Sequence, residues 1–585
     1  MKKMIFAGVV SVLFLSVDIA QSGPSKLKFE EMGEKAGVRL VHSTRKFGDR
    51  EKAQVLEVFT DGGAAVAVGD YNADGFDDLF VVDSDEGKAH HLMRNNGDLT
   101  FTDVASQLGV EGGNDPLSIC ADALWFDYHN DGHLDLLVGR FGTPILYQNK
   151  GPGRDGWNSF LDVSKTVGLT RFGNTIATIA FDANNDGWLD LMLGNYFNAE
   201  NLLNLSTSHV LPNNLDYADN GGGVTFWHNV MLQNGERGFV EITESAGFAH
   251  HTGWSSDLGH ADLNNDGWQD VYVAGDYGTD RMFFNKGDGT FEDVTETAIG
   301  FDTRKGMNVD MGDYNRDGWL DIYVTNITDE YMKECNMLWH NNGDGTFIDL
   351  SRETGTCDTD WGWAAKFADF DNDGWEDLFA VNGLRSAGKE NYIPILLEMI
   401  ITPGVDFSDL NNYPDIGDRT WSGYQKQRMF HNLADGTFKE VGAESGVNTD
   451  LDGRGIGIGD FDNDGFLDIC QTNANQPVLF FHGVPENPGG WVALKLIGKN
   501  SNRDAVGARV ILTADGESYL REVNCGNGYA GQSTMRLHFG LGTATKVEAV
   551  EIHWPGGQVE TLPESQLEGL INKLHYVQEG KGVLR

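Results

Sequence analysis

Asp460-Phe461-Asp462-Asn463-Asp464-Gly465-Phe466-Leu467-Asp468 sets oxygen-bearing side chains at its first, third, fifth and ninth places and glycine at its sixth, with an apolar run from Ile469 behind it. A calcium ion takes six to eight oxygen donors at once, and a short loop with carboxylates at alternate places turns them toward one point. Glycine at the sixth place permits the sharp turn because it tolerates positive φ. The loop is shorter than an EF-hand loop, and strand-like sequence flanks it on both sides.

The stretch occurs seven times. The other copies offer Asp70, Asn72, Asp74 and Asp78; Asp127, Asp131 and Asp135; Asp182, Asn184, Asp186 and Asp190; Asp262, Asn264, Asp266 and Asp270; Asp313, Asn315, Asp317 and Asp321; and Asp369, Asp371, Asp373 and Asp377, beside Asp460, Asp462, Asp464 and Asp468. In the second copy the third place is His129, a poor ligand for a hard cation. One such loop reads as an Asp-Gly turn; seven with the same spacing read as up to seven structural Ca²⁺ sites.

The chain has 585 residues, which suits two or more domains or one large repeat fold. A 40% hydrophobic and 11% aromatic content excludes a disordered chain, and 75 Gly in short strand-like runs read as all-β. The net charge of −45 comes from 43 basic and 88 acidic residues. Part of that acid lies in the loops; the remainder argues against nucleic acid or an anionic membrane as partner. Lys2, Lys3, the apolar stretch 4–17 and Ala20-Gln21-Ser22 read as a cleaved signal peptide over 1–22, so the protein is expected outside the cell or in a periplasm. No later run suits a membrane span.

Between the loops the repeat is regular. In the fifth unit, strands are expected over 307–312, 319–325, 336–340 and 346–350, with a hairpin turn at Asn342-Gly343-Asp344-Gly345. Four short strands in about 50 residues are the signature of a β-propeller blade. The seventh unit stops after its third strand, and 28–32 supplies the fourth, which closes the ring and removes free edges. The fold expected is all-β: a seven-bladed propeller over 27–484, a linker over 485–490, and a small β-sandwich or barrel over 491–585 with strands at 491–497, 505–513, 519–523, 535–539 and 547–554.

Strand alternation puts the acidic loops and the hairpins on one face. The other face carries two long connections, 195–226 and 382–424; the second contains an apolar stretch, 393–401, that suits a short helix. Cys335 and Cys357 fall on that same face in adjacent blades, either as a disulfide or as two unrelated thiols. Cys120 and Cys470 sit in apolar strand sequence and read as buried thiols.

The seven loops, with ends such as Phe101-Thr102-Asp103-Val104, resemble the FG-GAP/VCBS repeats of integrin-α-like propellers. The tail resembles the ASPIC/UnbV domain through Gly526-Asn527-Gly528-Tyr529-Ala530-Gly531-Gln532-Ser533, His538-Phe539-Gly540-Leu541-Gly542 and Trp554-Pro555-Gly556-Gly557. Together they resemble the cartilage acidic protein family and its bacterial relatives. The resemblance implies a secreted, calcium-binding, extracellular protein and no known reaction, although a likeness of UnbV-type proteins to accessory proteins of enediyne biosynthesis keeps a catalytic role open.

No Gly-x-Ser-x-Gly elbow, phosphate-binding loop, His-Glu-x-x-His or Cys-x-x-Cys pair appears, and no catalytic residue is assigned. The strand-to-strand connections on the long-loop face carry His42, Arg45, Lys46, Arg171, His250, His251, Arg304, Lys305, Asp358, Asp360, Asp450, Asp452 and Arg454. They read as exposed loops whose polar residues need no further role, with one sharper option: His42 with His250 or His251 as ligands of a transition metal. Trp361, Trp363, Trp227 and Trp421 are the aromatic candidates for ligand contact there. The function expected is recognition of a protein or glycan, as in adhesion, through the face opposite the calcium loops. The alternatives are an enzyme or biosynthetic accessory protein with a site at the channel mouth, and a structural matrix component.

Overall fold

The computed structural model describes residues 27–584 except 48–52, 155, 199–201, 205–207 and 250–252. The expected signal segment 1–22, His250 and His251 lie outside the described residues.

Seven four-stranded antiparallel units follow one another. The first is Val66–Gly69, Asp78–Val81, His91–Asn95 and Phe101–Asp103. The fifth is Asp310–Gly312, Asp321–Val324, Met337–Asn341 and Phe347–Asp349, shorter than expected because the loop and connection residues leave the ladder early. The first strands of the units neighbour one another in a cycle, from Val66–Gly69 through Ile119–Phe126, Gly173–Phe181, Ser255–Ala261, Asp310–Gly312 and Gly362–Ala368 to Gly453–Gly459 and back to Val66–Gly69. These strands converge on the axis and carry small residues for that reason. A Cβ on Gly259 would meet Val309 at 2.5 Å, and one on Gly457 would meet Val68 at 2.7 Å. The last unit is composite: Phe29–Glu31 pairs antiparallel with Leu479–Gly483, Phe29 opposite Gly483 and Glu31 opposite Phe481.

The tail forms two four-stranded sheets. One runs Leu537–Gly542, Gly490–Ile497, Leu574–Gln578, Gly582–Val583; the other runs Glu517–Glu522, Arg509–Ala514, Val547–His553, Val559–Thr561. The three strands after residue 558 were not expected, because each is short and only Leu574–Gln578 carries a run of pairing residues. Within 485–490, expected as a linker, 486–488 are exposed and Gly489 passes close to the sixth loop: a Cβ there would fall 2.0 Å from the Asn372 carbonyl.

The tail is not a separate body. It lies on the acidic-loop face, and its segment 525–534 enters the propeller axis and touches every blade. Ala180 donates its amide to the Cys525 carbonyl at 3.1 Å. Tyr529 donates its amide to Asn308 Oδ1 at 3.0 Å, and the Lys366 ammonium donates to the Asn527 carbonyl. Gly531 and Gln532 add a parallel strand beside Val66 and Ala67. Gln532 takes both backbone groups of Trp125, accepting at 2.7 Å and donating at 2.8 Å, and Thr534 donates to the Ile458 carbonyl at 2.9 Å. Among the described residues no helix is long and apolar enough to cross a membrane.

Candidate metal centres and the channel mouth

In the seventh loop the fourth and sixth residues, Asn463 and Gly465, take φ of 58° and 91°. That double left-handed turn folds the carboxylates onto their own backbone. Asp460 accepts from the amides of Asp464 at 3.0 Å and Gly465 at 2.9 Å, and Asp464 accepts from Phe466 at 2.9 Å. Asp468 accepts from Phe461 at 3.1 Å and from Gly483 at 2.9 Å. The same pattern repeats at Asp70, Asp127, Asp182, Asp262, Asp313 and Asp369, each of which accepts from the amides of its fifth and sixth residues. Asn supplies the fourth place in five loops; Ala73 and Arg316 hold it elsewhere with φ of 57° and 59°, at a steric cost Asn partly avoids.

The arrangement gathers like charges. Burial, then repulsion from neighbouring carboxylates, pushes Asp460 and Asp182 up to about 8 and Asp313 up to about 7. Carboxyl oxygens of Asp460, Asp462 and Asp464 lie within 4.8 Å of one another, as do those of Asp369, Asp371 and Asp373. Such sets fit a hard divalent cation by donor chemistry. The second loop differs. His129 Nδ1 lies 3.0 Å from Asp135 and its Nε2 3.0 Å from Asp131. Burial works against charge on that ring, but bonds to Asp127 and Asp135 outweigh it and push it up to about 10. There a histidine ring takes the place of a further oxygen donor among the carboxylates.

Two recurrent partners escaped the sequence reading. An asparagine lies at or within three residues of the end of the third strand in six blades. Asn432, for example, donates its amide to Asp377 at 2.9 Å, and its side chain reaches the Tyr314 carbonyl in the preceding blade's loop at 2.8 Å. Asn95, Asn149, Asn229, Asn285 and Asn341 repeat both bonds, so each loop is tied to its neighbour around the ring. Just before it, His228, His340, His431 and, in the seventh blade, His482 contact the ninth-place aspartate at 2.8–3.2 Å. The His-Asn pair recurs in the sequence and was the available signal.

The tail covers this face. Asp504 accepts from the Asp127 amide at 2.7 Å, and Glu522 from the Asp262 amide at 3.2 Å. Arg509 lies 3.1 Å from Asp262, and Arg536 3.3 Å from Asp77.

On the opposite face the connections are more buried than expected. His42, Arg45, Lys305, Asp452 and Arg454 are all buried. His42 Nε2 sits 3.0 Å from Ser84 Oγ, and burial, reinforced by Arg454, holds its ring down at about 3. Arg454 donates to the carbonyls of Gly383 and Leu384, lies 3.4 Å from Asp61, and stacks over Trp363 at 4.3 Å. Arg304 is spent on Asp302 and Asp349. These contacts tie the connections to one another; among the described residues no metal-ligating group includes His42. Cys335 and Cys357 are disulfide-bonded, with Cα atoms 4.8 Å apart. Cys120, Cys470 and Cys525 are buried free thiols.

The two long connections meet across the axis. Val210 donates to the Ser408 carbonyl at 3.0 Å and Leu410 to the Ser208 carbonyl at 2.8 Å. The helix Ile393–Ile400 lies in the longer one. Below them a cavity of about 50 Å³ is walled by Phe59, Trp361, Trp421 and Tyr196 and floored by Tyr529 from the tail. Trp227, by contrast, lines a separate groove between the second and third blades.

The FG-GAP-like repeat family matches residues 70–138, 127–193, 262–324, 328–380 and 413–470, and the ASPIC and UnbV family matches 498–581. The chain belongs to the FG-GAP-like repeat family and ends in an ASPIC and UnbV domain. Repeats of this family thus supply the blades, and the ASPIC and UnbV domain supplies the segment on their axis. The chain is similar to cartilage acidic protein 1 of Xenopus tropicalis, 30% identical over 41% of this chain and 40% of the relative, and of Mus musculus, 24% identical over 78% and 74%. The frog match thus spans less than half of its relative's length. A rhamnogalacturonan lyase of Bacillus licheniformis aligns with a TM-score of 0.34 and 10% identity over 77% of this chain and 75% of the lyase.

Proposed function

We propose that the protein is a secreted, calcium-stabilised recognition protein that binds an extracellular protein or glycan through the face opposite its acidic loops. One observation carries this reading: the ASPIC/UnbV domain covers the loop face, while the two longest connections join over the other. Loops of that length in a compact domain are commonly functional. The similarity to cartilage acidic protein 1 supports a place outside the cell.

Calcium fills six of the loops in this reading and makes binding energy part of folding energy. The second loop needs none, because His129 already stands between Asp131 and Asp135.

The test is binding of the calcium-loaded protein to arrays of matrix proteins and glycans, beside a variant in which 403–419 is replaced by a short Gly-Ser turn. The reading expects the variant to lose the signal while still unfolding cooperatively in calcium, at a lower midpoint because Leu410, Tyr413 and Ile416 are buried. A variant that binds as the parent does overturns it.

A further inference from the structure

The cavity at the channel mouth combines aromatic walls with a single carboxylate. Trp361 and Phe59 stand nearly perpendicular to Trp421, at 87° and 77° with ring centroids 5.9 and 6.4 Å away. Tyr529 packs on Trp363 at 5.0 Å. Its hydroxyl lies where a Cβ on Gly62 would come within 2.0 Å, so only glycine at 62 leaves the floor in place. Asp276 lines the same cavity. It accepts from the Tyr196 hydroxyl, and among the described residues no Lys, Arg or His lies within ion-pair distance of it; Lys305, whose charge reaches it, is held by Glu334 and Asp216. The nearest cation on these rings, Arg454, lies over Trp363 and is matched by Asp61.

Ring faces carry negative potential and attract cations that shed water easily. Phe59, Trp361, Trp421 and Tyr529 all line the cavity, so their rings surround a cation placed in it, and the Asp276 carboxylate supplies the counter-charge. Size narrows the choice. A water needs roughly 10–15 Å³, so a cavity of about 50 Å³ suits a compact group of a few heavy atoms better than a sugar ring. Phe59 and Asp276 are only half-buried, so the cavity keeps accessible surface.

We propose that this pocket binds a quaternary or fully methylated ammonium head, held by Phe59, Trp361, Trp421 and Tyr529 with Asp276 as counter-ion. The proposal rests on the recognition reading and names the chemistry of the ligand it receives. The head belongs either to a choline-type compound or to a trimethylated lysine, and the two share every contact named.

The test is calorimetric titration of the calcium-loaded full chain with tetramethylammonium, choline, a trimethyl-lysine peptide and the neutral isostere 3,3-dimethylbutanol. Saturable binding of at least one ammonium, with the isostere at least tenfold weaker, is expected. Asp276→Asn and Phe59→Leu should each weaken it about tenfold or more, while both variants still unfold in one cooperative transition. The choline and peptide arms separate the two sources. Equal binding of the isostere, or no saturable binding of any ammonium at millimolar concentration, overturns the proposal. The array experiment distinguishes the two levels: array binding that needs 403–419 but ignores competing ammonium sinks the pocket and leaves the face reading intact.

Discussion

Asn527 of the ASPIC/UnbV domain holds both backbone groups of His260 in the fourth blade: its Oδ1 accepts from the His260 amide at 3.0 Å and its Nδ2 donates to the His260 carbonyl at 3.0 Å. The side chain stands in for a strand that the innermost edge of the blade lacks. Both partners are buried, so truncation leaves two backbone groups unpaired away from water. Asn527→Ala should lower stability by about 2–4 kcal/mol, read from urea unfolding in calcium. Because propeller and tail share this axis, both should unfold in one transition; two separated transitions in the parent would contradict the shared core.

Acid should weaken the long-loop face through His42. Its ring is held down at about 3, against 6.5 when unfolded, mainly by burial. A lowered histidine contributes stability above the unfolded value and loses it as pH falls from there toward the folded value, since the unfolded chain takes up the proton first. Between about pH 6.5 and pH 5 the loss is about 2 kcal/mol. His42→Gln removes that dependence, so the parent-minus-variant difference in unfolding free energy should shrink by that amount across the interval. A pH-independent difference would contradict the buried neutral ring.

The Cys335–Cys357 bond closes a segment of sequence separation 22 between adjacent blades. Restricting the unfolded chain over that length contributes about 3 kcal/mol, so Cys335→Ser with Cys357→Ser should show that loss in urea unfolding. Array binding should persist in the double variant, since the bond lies outside the pocket.

What the sequence made legible was local. The loops read plainly because ligand, turn and strand lie within nine residues, and their order around the ring follows chain order. Closure by Phe29–Glu31 was legible for the same reason: a missing fourth strand and a spare one carry the same repeat ending. Non-local chemistry stayed hidden. Segment 525–534 has no periodicity, and its partners, such as Ala180 and His260, lie hundreds of residues away. Glycines 526 and 528, legible only as part of the resemblance, take φ of 101° and 94° and serve a close passage down the axis. The burial of Arg454 and His42 was missed because connections usually run over the surface, whereas here the roof and the axial segment enclose them.

The most direct test is thermal unfolding of the full chain in calcium, in magnesium and in chelator, with elemental analysis of the bound metal. An ion at a hundred times its dissociation constant adds about 2.7 kcal/mol per site. Magnesium demands a near-ideal octahedron at short distances and gives up its water reluctantly, whereas calcium accepts more and looser oxygen donors. The account predicts a large rise of midpoint in calcium, little in magnesium, and a smaller calcium shift in Asp468→Asn than in Asp135→Asn, whose loop already holds His129. An unchanged midpoint in chelator, with no calcium in the protein, would contradict it.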